Sequence, residues 1–110
     1  MSENGLDRLR GERILHTVAF RLRYAKDAAE TRIFLYDAEL ILTGIPQVEN
    51  FQVLREVSEK NDFEFGFSME FENRAAYDAY NTHPAHQAFV TQRWLKEVAD
   101  FMEVDYMGTS

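Results

Sequence analysis

The chain has 110 residues, 45% of them apolar and 14% aromatic. That suffices for one domain with a hydrophobic core and is too apolar for a disordered chain. A formal charge of −7 repels phosphate backbones and anionic lipid, which argues against nucleic acid and membrane as partners, and the lack of cysteine excludes disulfides, thiolate metal sites and a cysteine nucleophile.

Residues 1–12 are polar and charged and read as a flexible N-terminal arm, followed by a single domain over residues 13–110. Neither the apolar run of a signal peptide nor a segment of membrane-spanning length is present, and a cytoplasmic protein is expected. From Ile14 to Tyr24 the sequence alternates, with Ile14, His16, Val18, Phe20 and Leu22 on one face, which predicts a strand. His16 falls in the apolar row, where a buried imidazole needs a partner for its ring nitrogens.

Asp27 with Glu30 three residues on resembles a capping pair. The spacing of Ala29, Ile33, Tyr36, Leu40 and Ile41 predicts a helix over 28–43, its apolar stripe widened by Leu35, Ala38 and Leu42. Gly44 suits a left-handed stop and Pro46 forbids continuation. A second strand is expected over 48–57, with Phe51, Val53, Arg55 and Val57 on one face. A third, the most regular, alternates Phe63, Phe65, Phe67, Met69 and Phe71 with polar residues and glycine.

Asn73 is placed to cap a helix running to Tyr80. Pro84, the second of the two prolines, then breaks the helical pattern, since its ring fixes φ and it lacks an N–H. A further helix carries Ala85, Phe89, Trp94, Leu95 and Val98. A last strand, near 101–107, places Met102, Val104 and Tyr106 on one side. The order β-α-β-β-α-β predicts an α+β, ferredoxin-like fold with helices on one face of an antiparallel sheet.

The chemistry concentrates at the break, Tyr80-Asn-Thr-His83-Pro84-Ala-His86, which holds two of the three histidines. A tyrosine ending one helix and a histidine opening the next converge on one spot. His86 suits a general base near neutral pH, and the phenol of Tyr80 suits a donor to a developing oxyanion. The plainer alternative has Tyr80 and His86 hydrogen-bonded to each other to hold the break, with His16 a satisfied core histidine. His83 is read as a cap on the helix that follows. A metal between His83 and His86 is disfavoured because Pro84 disturbs their alignment, so neither metal nor cofactor is expected. An RNA-recognition module would need basic and aromatic residues where the third strand shows Glu64, Ser68, Glu70 and Glu72.

His16-Thr-Val-Ala-Phe-Arg-Leu22, Ile45-Pro46, Met69-Glu-Phe-Glu72, Tyr80-x-x-His-Pro-Ala-His86 and Val104-Asp-Tyr106 together resemble the stress-responsive α/β-barrel (Dabb) family. The resemblance implies a homodimer whose two sheets pack face to face as one α+β barrel. It implies stress proteins in one branch and polyketide cyclases, exemplified by olivetolic acid cyclase, in another. For that branch it implies a small hydrophobic or poly-ketone ligand, with Tyr80 and His86 as the acid/base pair and His16 lining the cavity. The expected function is a cofactor-independent acid/base enzyme of that kind, or a non-catalytic protein whose stable dimer is its function.

Overall fold

A computed structural model describes residues 11–109. The arm expected at residues 1–12 lies outside the described residues up to position 10. Strand β1 is Ile14–Leu22, helix α1 Ala29–Thr43, β2 Glu49–Arg55 and β3 Phe65–Phe71. After α2 (Arg74–Thr82) and α3 (Pro84–Phe89) come a π-helical turn, Val90–Trp94, and a short α4, Leu95–Glu97. Strand β4, Val98–Tyr106, ends the fold.

The four strands form one antiparallel sheet in the order β2-β3-β1-β4, with the helices packed on a single face. This is the ferredoxin-like arrangement. In β1 every other residue from Ile14 to Leu22 is buried, and Phe65, Phe67, Met69 and Phe71 of β3 are buried beside them. These rows meet Phe34, Ala38 and Leu42 of α1 and Tyr77, Tyr80 and Phe89 from the second helical region. Phe20 lies at the centre, its ring 4.7 Å from Phe67, 5.1 Å from Trp94 and 6.1 Å edge-on to Phe34.

Several local expectations are corrected. Ala28, in extended geometry, precedes α1 without a side-chain cap, so Asp27 is not the cap; Thr31 instead hydrogen-bonds back to the Ala25 carbonyl. Gly44 is right-handed, with its N–H bonded to the Ile41 carbonyl. The buried stripe of α1 is Thr31, Phe34, Ala38 and Leu42, while Ile33, Tyr36 and Leu40 are 56%, 67% and 62% exposed. The helix is apolar on two sides, and spacing alone does not say which side meets the sheet. Strand β2 ends at Arg55, leaving Val57 exposed, and its register with β3 shifts between Glu49 and Gln52, where Asn50 takes a positive φ. Val98 opens β4 instead of closing a helix.

The other face of the sheet is open. Leu54, Gly66, Ala19 and Met102 stand opposite one another in sequence across all four strands, and Leu15 faces Tyr106 on the same face, beyond the Thr17–Val104 pair. Leu54, Met102 and Tyr106 are exposed. Near them Arg13 bonds to Glu49 at 2.7 Å and to the buried Glu70 at 3.2 Å.

Candidate functional site

Asn73 caps α2 by accepting from the Ala76 N–H at 2.9 Å. Tyr77 and Tyr80, three residues apart on α2, therefore point from one helix face onto β1 and β3, with Phe71 stacked 5.0 Å from Tyr77. Pro84 forces the preceding His83 into extended geometry, which ends α2. Pro84 then opens α3 at its first position, and His83 caps it as expected, its Nδ1 accepting from the Ala85 N–H at 3.0 Å. His86 consequently stands on the first turn of α3, turned back toward the end of α2.

There the His86 ring lies 4.3 Å from the Tyr80 ring, tilted by 46°. Its Nδ1 is 3.2 Å from the Asn81 carbonyl oxygen. A carbonyl only accepts, so Nδ1 carries the proton and Nε2 is the basic nitrogen of the neutral ring. In place of the Tyr80–His86 hydrogen bond of the plainer alternative there is ring contact, and the imidazole is fixed by the last turn of α2. Burial lowers the His86 pKa below its ordinary value, outweighing the Asn81 bond; the neighbouring His16 lowers it further and Glu103 opposes. Burial raises the Tyr80 phenol pKa, assisted by Glu103, and keeps it protonated.

His16 projects from β1 into the same region, its ring 6.3 Å from that of Tyr80. Its Nδ1 donates to Asp105 Oδ1 at 2.6 Å, with the Tyr77 oxygen 3.0 Å away. Tyr77 gives its single proton to Asp105 Oδ2 at 2.8 Å. The Tyr77 phenol is raised by burial first and by the Asp105 hydrogen bond second. His16 is thus held through Nδ1 by Asp105, and it also lines the cavity.

That cavity, of about 280 Å³, opens between the sheet and the second helical region. His16, Phe67 and Met69 form its floor, Tyr80, His86 and Trp94 part of its walls, and the exposed Asn81, Leu95 and Glu103 part of its rim. The structure therefore brings His16, Tyr80 and His86 onto one cavity. At ~30 Å³ per water it has the volume of about nine waters, enough for a small single-ring molecule. The π-helical turn shapes one wall: the Leu95 N–H reaches back to the Val90 carbonyl, and Trp94 is carried over Phe20. No group of three or more ligand-type side chains placed to hold a metal occurs among the described residues.

Tyr77, Glu103 and Asp105 escaped the sequence reading. The signal was present: if Met102, Val104 and Tyr106 share one face of β4, then Phe101, Glu103 and Asp105 share the other. Ferredoxin-like order lays that strand beside β1, and His16 pairs with Asp105 across it.

Residues 14–108 match the family described as the stress responsive A/B barrel domain, Dabb. No curated protein sequence matches the chain. A Dabb protein with a ferredoxin-like fold from Mesorhizobium loti is similar in structure, with 48% identity and a TM-score of 0.89, over 91% of this chain and all of that one. A dimeric ferredoxin-like protein of unknown function from Thermobifida fusca has 18% identity and a TM-score of 0.73, over 90% and 93%. A hydroxynitrile lyase from Passiflora edulis has 12% identity and a TM-score of 0.76, over 87% and 93%. The last two likenesses concern the fold alone.

Proposed function

The chain belongs to the stress responsive A/B barrel (Dabb) family, and on that premise we propose that it is a small-molecule protein whose cavity performs cofactor-independent acid/base chemistry on a carbonyl compound. The observation that carries this reading is the fixed tautomer of His86: its Nδ1–H is committed to Asn81, and Nε2 is left as the base on a ring that lines the cavity. A base that is neutral at pH 7 and held in place accepts a proton without prior deprotonation.

In this reading His86 Nε2 takes a proton from the carbon beside a carbonyl, and the C–H electron pair moves toward the carbonyl oxygen. The Tyr80 O–H, kept protonated by burial, donates to that developing oxyanion. In an aldol closure the enolate carbon then attacks a second carbonyl, and the proton held by His86 passes to the new alkoxide. His16, oriented through Asp105, offers its remaining nitrogen to the substrate and fixes its pose. That one structural neighbour is a hydroxynitrile lyase supports an enzyme on this fold, without lending its substrate.

The test is exchange of α-protons for deuterium in a panel of small cyclic and aromatic ketones. Wild-type protein is expected to accelerate exchange for at least one member. His86→Ala should lose at least about a hundredfold, in the range of a positioned general base, and Tyr80→Phe a smaller factor. Acceleration that survives His86→Ala contradicts the assignment.

The second reading, a stress protein whose stable dimer is its function, draws on the open sheet face. Leu54, Met102 and Tyr106 are exposed there, and neighbouring structures are described as dimeric. We propose that this face meets a second copy, completing an α+β barrel. The two readings are compatible, because the cavity lies on the opposite side of the sheet.

A further inference from the structure

Glu103 is the acidic residue at the cavity, and the machinery above does not use it. It lies opposite Val18 in the sheet, on the same face of β4 as Phe101 and Asp105, and its exposed carboxylate stands at the rim. Other carboxylates nearby are committed: Asp105 to His16 and Tyr77, Glu97 and Asp37 to Arg93. Among the described residues Glu103 has no hydrogen-bond or ion-pair partner, and none of the residues lining the cavity is lysine or arginine. Behind the carboxylate the wall is aromatic, with Trp94 edge-on to Phe101 at 5.5 Å.

We propose that Glu103 makes this cavity selective for a cationic ligand: a small protonated amine with an apolar body. The inference rests on the reading that the cavity takes a small molecule, and it adds the ligand's charge class. An ammonium group gains the carboxylate at the rim and the faces of the aromatic wall, while the apolar body enters behind it. A carboxylate or phosphate ligand meets a like charge there, with no lysine or arginine in the lining to offset it, on a chain of net charge −7. A poly-ketone substrate would accordingly carry an amine, and a free carboxylic acid would be excluded.

Three probes of one shape and different charge test this: benzylamine, benzyl alcohol and benzoate, titrated against the fluorescence of Trp94, the single tryptophan, which lines the cavity. Benzylamine is expected to bind about tenfold more tightly than benzoate, as a partly exposed ion pair plus a cation–π contact allows, with benzyl alcohol between. The gap should shrink in high salt. In Glu103→Gln, which keeps the side chain's shape, it should close to about twofold, with thermal melting confirming an intact fold. Equal binding of the three by wild type, or an unchanged order in Glu103→Gln, overturns this inference and leaves the small-molecule reading standing. Binding of none of them overturns both.

Discussion

At the scale of single residues, the site rests on how each ring nitrogen is committed. Asn81 holds His86 Nδ1 and Asp105 holds His16 Nδ1, so both imidazoles are fixed in one tautomer by acceptors. The His86 pKa lies below its ordinary 6.5, chiefly because burial disfavours the charged ring. The unfolded chain therefore takes up this proton first as the pH falls, so the stability linked to His86 is full above 6.5 and is lost as the pH drops through the folded value. Melting temperature should fall more steeply between about pH 7 and pH 5 for wild type than for His86→Gln, in which this linkage is gone. Parallel curves would contradict it. His83, His86 and Tyr80 were legible because two of the three histidines and a tyrosine stand around one proline, and His16 because it interrupts the apolar row of β1. Asp105, Glu103 and Tyr77 stand in ordinary sequence surroundings, and only the pairing of β4 with β1 gives them meaning.

At the scale of elements, strands were read more truly than the helix faces. A period of two admits only two faces, and the inner rows of β1 and β3 follow from it directly. Helix α1 carries apolar residues around most of its circumference, and the sheet selects Phe34, Ala38 and Leu42 over Ile33, Tyr36 and Leu40. The consequence is measurable. Phe34→Ala, at a fully buried ring, should cost roughly 3–5 kcal/mol in chemical denaturation, whereas Ile33→Ala should cost well under half of that. Equal losses would mean that the exposed stripe is covered in solution. The π-helical turn was not legible, because it adds a residue to a helix without changing residue types; its effect is to carry Trp94 over the core.

At the scale of the whole molecule, one sheet separates two surfaces of different make-up. The helix side holds the core and the cavity, and the open side carries an apolar row from Leu54 to Met102. Antiparallel sheets tolerate water on one face, so strand pattern alone does not decide between monomer and dimer, and the expectation of a homodimer came from the family resemblance. The exposed Leu54, Met102 and Tyr106 are the basis of the dimer proposed above. Sedimentation at micromolar concentration should give a dimer for wild type and a folded monomer for a Leu54→Glu, Met102→Glu double variant, since buried like charges are costly in an apolar interface. A wild-type monomer would remove the barrel.

The most direct measurement on the central claim is NMR titration of the three histidine rings, in wild type and Tyr80→Phe. His86 should appear as the Nδ1–H tautomer, titrate below 6.5 and shift when the phenol is removed, because its ring packs against Tyr80 and its Nδ1 is held by Asn81. A His86 that titrates like a free imidazole, in either tautomer and indifferent to Tyr80, would show that no pre-organised base faces the cavity.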